Sequence, residues 1–344
     1  MMPLQGRGPH PLGIWLADAP RGTGTDDTRM NNIFIECVIK NRGDINPHLL
    51  AFEYIERYRD IEKYVPEYFT SEDIEKLALP FYRSLFRRAC IYLRIDAPEL
   101  YEPFDTKERV PWYVIEESAG YGDFPNISGL ISLQSAGLLY ANEPEKAYKK
   151  AYELSTITDM GYARDATAIL AATISAALSE KDNPLEVLER GIKTNPFGLR
   201  NRRMTANQWW QHYPQLHELF RMADESKDEK ELILKLAKAC NHLHLFDPFD
   251  VLGVPLTIIR YCKGDPVRSI IMAANHRKID EEGRLIRFRD TDCTAMVAGA
   301  IVGAINGLTS FPKDWVKDAI EANKKVYNVD IEKNSKTFYA VLYQ

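Results

Sequence analysis

Sustained alternation of apolar and polar residues is almost absent from this chain, which excludes most sheet-built folds. Apolar residues recur instead at intervals of three and four. Ile33, Phe34, Cys37 and Val38 follow Met30 with that spacing, as do Ala147, Ala151 and Leu154 after Pro144. Each set makes one stripe on a helix. Ala166 to Leu178 is dense in alanine and carries Ile169, Leu170 and Ile174, so it predicts a central helix packed on several sides. Further helices are expected over 30–40, 47–58, 84–94, 227–239, 251–261, 267–274, 295–308 and 315–326, with another opening at Asn183-Pro184. The fold class is all-α. The 344 residues, 45% of them apolar, suffice for a large core. The chain divides into an irregular segment over 1–24, a single all-α domain over 25–326 and a C-terminal tail over 327–344 packed on the body. Thr337 to Tyr343 reads as a short strand or a docked apolar tail. Residues 275–291 read as a loop. Gly299, Gly303 and Gly307 fall four apart on one helical face, and close helix contact is the expected compensation for their poor helix propensity.

Composition removes several function classes. The net charge is -5, from 44 basic and 49 acidic residues, so no nucleic-acid surface or anionic membrane partner is expected. The five cysteines have no CxxC spacing and read as reduced thiols of a cytoplasmic protein. No long apolar run marks a signal peptide, and Ala295 to Leu308 is too short to span a bilayer. Trp209, Trp210, His212, Tyr213 and His217 cluster as either packing residues or a ligand site.

The chemistry concentrates in two acidic motifs. Thr25-Asp26-Asp27-Thr28-Arg29-Met30 places adjacent carboxylates at a helix start, with Thr25 or Asp26 as the cap. Such a pair serves either as a plain helix cap or as a ligand set. Near the other end, Arg289-Asp290-Thr291-Asp292-Cys293-Thr294-Ala295 again sets two carboxylates before an apolar helix. Together they supply hard oxygen donors suited to Mg²⁺ or Mn²⁺, with Ca²⁺ less favoured. Two such clusters can hold two ions and activate a water.

These residues resemble the ADP-ribosylglycohydrolases, a family that includes the dinitrogenase reductase-activating glycohydrolase. Its early Thr-Asp-Asp-Thr-x-Met motif is matched at Thr25, Asp26, Asp27, Thr28 and Met30. Its late Gly-Asp-x-Asp-Thr-x-Ala motif is matched at Asp290, Asp292 and Ala295. Between them, Leu138 to Ala147 resembles the family's Gly-Leu-Leu-hydrophobic-Ala-Gly-Asp-Pro-x-x-Ala segment. The resemblance implies a compact orthogonal multi-helix bundle with a dinuclear Mg²⁺ centre, Mn²⁺ being an alternative. Thr25, Asp26, Asp27, Asp290 and Asp292 would be its metal ligands, with Asp27 and Asp292 central to catalysis. It implies attack of water on the anomeric carbon of an ADP-ribosyl or related N- or O-glycosidic bond, in a small molecule or a modified protein. The Gly120–Asn126 loop would sit near the phosphates through Gly122, Asp123 and Asn126.

The chain departs from the family pattern at several positions. Cys293 stands where the late motif supplies a hydroxyl, and Arg289 replaces its glycine. Asn31 and Asn32 follow Met30, where the family is apolar. Asp159-Met160-Gly161-Tyr162 takes the place of a histidine-rich turn. Upstream of Thr25, Leu16-Ala17-Asp18-Ala19 does not reproduce the family's first helix with its Gly-Asp-Ala-x-Gly and glutamate. These departures define the alternative expectation of a non-catalytic ADP-ribose- or nucleotide-binding or interaction protein on the same scaffold.

Overall fold

A computed structural model describes residues 20–97, 126–179, 183–199 and 216–343. Leu16–Ala19, Gly122, Asp123 and the Trp209–Tyr213 cluster lie outside the described residues. Among the described residues the chain is all-α apart from one short hairpin, and it groups into two compact units.

The first unit contains α1 (Asp26–Lys40), α2 (Pro47–Arg59), α3 (Leu79–Leu93) and two C-terminal helices. Local chemistry sets the ends. At α1 the chain turns at Asn41, and Arg42 and Gly43 follow with positive φ. The Gly43 N–H donates back to the Val38 carbonyl at 2.9 Å. The Asn46 side chain accepts from the Leu49 N–H, and Pro47 occupies the first turn of α2. Glu36 of α1 gathers a partly buried network. Arg57 donates to its Oε2 at 2.5 Å, and Asn32 and Asn334 donate to its Oε1 at 2.8 and 2.9 Å. Burial pushes the Glu36 carboxyl up, but Arg57 and the two amides outweigh it and hold it below the usual range. Asn32, polar where the family is apolar, is thus committed to structure.

Asn334 belongs to a helix where a strand or apolar tail was expected. The C-terminal stretch Ile331–Tyr343 is helical, and Asp330 starts it by accepting from the Lys333 N–H at 3.0 Å. It packs on α1, and Asn334 also donates to Asn32 Oδ1 at 2.8 Å. The run of β-branched and aromatic residues from Thr337 to Tyr343 favours strand locally, but the cap and this docking override it. The preceding helix spans Lys313–Tyr327.

The second unit is organised on the helix Tyr162–Ala177, in which every residue except Tyr162 and Arg164 is buried. Pro144–Leu154, Pro184–Lys193 and the 3-10 turn Gln134–Leu139 pack around it. The close approach rests on small residues: a Cβ at Gly137 would lie 2.6 Å from the Ala171 carbonyl oxygen and 2.7 Å from Ile174 Cβ. Asn142 has φ 56°, a conformation open to Asn and Gly, at the position where the family motif has glycine. Helices Pro248–Tyr261, Pro266–Ala273 and Thr291–Asn306 form a second layer of this unit, with Leu216–Glu225 against the first of them.

Two expectations are corrected here. Residues 275–291 contain an antiparallel hairpin, Arg277–Ile279 paired with Leu285–Phe288, rather than a plain loop. Leu285 and Ile286 are both exposed, so the strand carries no alternation to read. The glycine face of Thr291–Asn306 makes no unusually close contact. A Cβ at Gly299 would sit 3.5 Å from Ile270, one at Gly303 would sit 3.7 Å from Phe311, and Gly307 lies past the helix end. Gly137→Ala should therefore cost about 1–3 kcal/mol through overpacking. Gly299→Ala should be neutral or stabilising by up to about 1 kcal/mol. Urea-unfolding midpoints of the two variants test this contrast.

Candidate functional site

The first acidic motif opens α1 in the first unit. Thr25 is the N-cap residue in an extended conformation, with no capping hydrogen bond from its side chain. Asp26 and Asp27 occupy the first turn, and Asp27 is only 2% exposed. A carboxylate so buried requires stabilisation, and the helix start supplies part of it.

The segment entering α1 is strapped to the helix Lys313–Tyr327. The Gly24 N–H donates to Asn323 Oδ1 at 3.0 Å, and the Tyr327 hydroxyl donates to the Gly24 carbonyl at 2.8 Å. Asn323 Nδ2 donates to Gly22 O at 3.0 Å. Gly22 has φ +88°, and a Cβ there would lie 2.4 Å from the Asp318 carbonyl carbon. Arg21 adds ion pairs to Asp314 and Asp318. One amide side chain thus satisfies two backbone groups of the strap and fixes where α1 begins.

The second motif opens Thr291–Asn306 in the second unit. Asp290 is the N-cap residue and Asp292 lies in the first turn. Both are partly buried, while Cys293 is buried. Just before them, Arg289 is almost wholly buried, at 1% exposure. Its Nε donates to Asp250 Oδ2 at 2.5 Å, and its Nη2 donates to the His244 and Leu243 carbonyls at 2.7 and 3.2 Å. The other Asp250 oxygen meets His276 Nε2 at 2.8 Å. The Arg289 N–H donates to the His276 carbonyl at 3.1 Å, and Thr294 Oγ1 donates to the Ala273 carbonyl at 3.0 Å. The residue replacing the motif's glycine is therefore an internal anchor for the turn that presents Asp290 and Asp292.

Cys240, Asp250 and His276 also place potential ligand atoms within 4.8 Å of one another. They do not need an ion. The Arg289 guanidinium already faces the carboxylate, and a cation would have to displace it or repel it. Burial, and then the neighbouring Asp250 charge, push the Cys240 thiol well above its ordinary range, away from the thiolate that metal binding requires. Burial pushes the Asp250 carboxyl up, but His276 and Arg289 outweigh it and hold it low.

Sequence reasoning missed these residues and two further buried carboxylates. Asp159 accepts from the Gly129 N–H at 2.9 Å and from Thr167 Oγ1 at 2.8 Å. Asp247 caps Pro248–Tyr261 through the Phe249 N–H at 2.9 Å and accepts from the Tyr162 hydroxyl at 3.2 Å. The signal was present in Asp247-Pro248, a helix-start dipeptide, and in Asp250, a charge inside an apolar helix. Of the residues expected near phosphates, Gly122 and Asp123 lie outside the described residues. Asn126 Oδ1 accepts from the Ser128 N–H at 2.8 Å, opening the short helix Ser128–Ser132.

The donor chemistry of both motifs fits a hard divalent cation: hydroxyl and carboxylate oxygens at helix starts, with Cys293 the single soft atom. The helical architecture with acidic helix starts is all-α. The chain belongs to the ADP-ribosylglycohydrolase family, whose model matches residues 2–336. That family is typically metal-dependent. No match to the chain is found among curated proteins. Among the described residues, no helix is long and apolar enough to cross a membrane.

The Arg289–Asp250 pair makes a pH-dependent prediction. Arg289→Met should cost about 3–5 kcal/mol, because it leaves a buried carboxylate short of its partner. Arg289→Met combined with Asp250→Leu should cost less. The Asp250 pKa is depressed on folding, so its contribution is complete above the ordinary value of about 3.9 and is lost as pH falls through the lower folded value. Thermal unfolding from pH 7 to pH 3 should show the gap between wild type and Arg289→Met closing at the acid end.

Proposed function

We propose that this protein hydrolyses an ADP-ribosyl or related N- or O-glycosidic bond in a metal-dependent reaction. The observation that carries the reading is the family match, which runs continuously through both acidic motifs. The substrate class is a small molecule or a protein bearing ADP-ribose. Thr25, Asp26, Asp27, Asp290 and Asp292 would hold two Mg²⁺ or Mn²⁺ ions. When bound, those ions supply Lewis acidity that lowers the pKa of a coordinated water and orients the ribose hydroxyls.

The chain's own residues perform the remaining tasks. The Asp27 and Asp292 carboxylates orient the attacking water and stabilise the positive charge that develops at the anomeric carbon. The glycosidic bond to the leaving nitrogen or oxygen breaks as the bond to water oxygen forms, and the leaving group takes up a proton. The helix starts place backbone N–H groups and positive dipole ends beside an anionic substrate. Two buried anchors support the reading, because they fix each carboxylate pair before a ligand arrives: Asn323 under the first and Arg289–Asp250 under the second.

Hydrolysis of an ADP-ribosylated peptide or of O-acetyl-ADP-ribose in Mg²⁺ and Mn²⁺ tests the proposal. Asp27→Asn and Asp292→Asn should each lower the rate by about 10²-fold or more. Cys293→Ser replaces a soft donor with the hydroxyl found in the family motif and should tighten Mg²⁺ activation by about tenfold. An inert wild type across a broad glycosidic panel in both metals contradicts the proposal. Cys293 also favours a second reading, a non-catalytic binder of ADP-ribose. Under that reading calorimetry gives heat with ADP-ribose while no substrate turns over.

A further inference from the structure

The first unit contains a cavity of about 200 Å³ that the proposed chemistry does not use. Its lining includes Arg29, Asn32, Ile33 and Glu36 from one stripe of α1, together with Arg57, Lys63 and Tyr327. Arg29 and Asp27 are two positions apart, about 200° around the helix, so the cavity and the Asp27 carboxylate lie on opposite faces of α1.

Arg29 is the unusual member. It is 6% exposed, and its Nη1 is buried with no hydrogen-bond partner among the described residues. Its guanidinium lies instead against aromatic rings: 3.7 Å from the Phe81 centroid, 5.1 Å from Tyr327 and 5.5 Å from Tyr82. Ring faces attract the cation but offer no acceptor for its N–H groups. The neighbouring charges are committed elsewhere. Arg57 is paired with Glu36 and Glu53, and Lys63 with Asp60. The Tyr327 hydroxyl is spent on Gly24. What the cavity offers is a desolvated guanidinium fork with an unmet donor, beside apolar walls from Ile33, Val65, Phe69 and Val329.

We propose that this cavity binds a small oxyanion, a phosphate or a short-chain carboxylate, through the Arg29 guanidinium. An oxyanion supplies the acceptors that the aromatic rings lack, and a planar guanidinium engages such groups in parallel hydrogen bonds. The volume falls below the range of drug-sized pockets, so the occupant is a small anion with at most a short apolar body. The apolar walls suit the body, and Arg29 suits the charged end.

The test uses the full chain in EDTA, which keeps the acidic motifs from recruiting an anion through a metal. Thermal unfolding is followed against sodium phosphate and sodium butyrate at constant ionic strength, with chloride as the reference. A ligand that binds only the folded state raises Tm in a saturable way. We expect that rise with at least one of the two anions, and we expect it to vanish in Arg29→Met. A rise with phosphate alone assigns a phosphoryl ligand, and a rise with butyrate alone assigns a carboxylate. Arg29→Met removes a buried charge whose Nη1 has no partner among the described residues, so the variant should fold. Arg29→Lys keeps the charge without the fork and should weaken binding at least about tenfold in equilibrium dialysis with labelled phosphate or butyrate. No saturable response to either anion in wild type, or an equal response in Arg29→Met, overturns the proposal. Activity of the metal-loaded protein has no bearing on either result.

Discussion

A guanidinium removed from water is costly unless acceptors or a counter-charge meet it. Arg289 satisfies that demand with one Asp250 oxygen and two backbone carbonyls, and Asp250 closes the arrangement on His276. The partners come from three segments: Leu243–His244, the helix Pro248–Tyr261 and the turn after Pro266–Ala273. Satisfying one side chain therefore fixes the relative placement of three segments. The residue next to Arg289 is Asp290, so the position of the second acidic motif follows from a buried charge pair one residue away. Replacing such a pair with apolar residues can leave stability unchanged; what the pair adds is a defined orientation.

The first motif is positioned by different means, with an amide side chain at the centre. Asn323 uses both ends of one amide to hold the Gly22–Gly24 strap. Gly22 and Gly24 admit no side chain, because a Cβ at either would fall within 2.6 Å of neighbouring atoms. The Glu36 network then ties α1 to α2 and to the C-terminal helix.

Much of this was legible in the sequence, for a local reason. Asn46-Pro47, Asn183-Pro184, Asp247-Pro248 and Asp265-Pro266 each put a capping side chain before a proline, and each opens a helix in the structure. The alanine-dense segment is the buried central helix of its unit, as its lack of a polar face required. The acidic helix starts were readable because cap, carboxylates and apolar stripe are adjacent in sequence. The failures share the opposite cause. Thr337 to Tyr343 is helical because Asp330 caps it and Asn334 docks on Asn32 and Glu36, partners some 300 positions away. Arg289 looked like a defect in a family motif because Asp250 and His276 could not be paired with it by spacing. The glycines of Thr291–Asn306 suggested close packing, whereas tight contacts occur at other glycines, Gly129, Gly137 and Gly191 among them.

The central proposal is that the carboxylates of the two acidic motifs serve as metal ligands. Titration of the purified protein with Mn²⁺, followed by electron paramagnetic resonance, tests it without reference to any substrate. The account predicts two ions per chain at saturation, with a spin-coupled spectrum that Asp27→Asn and Asp292→Asn each abolish. Saturation at a single uncoupled ion, or binding left intact in both variants, would contradict it.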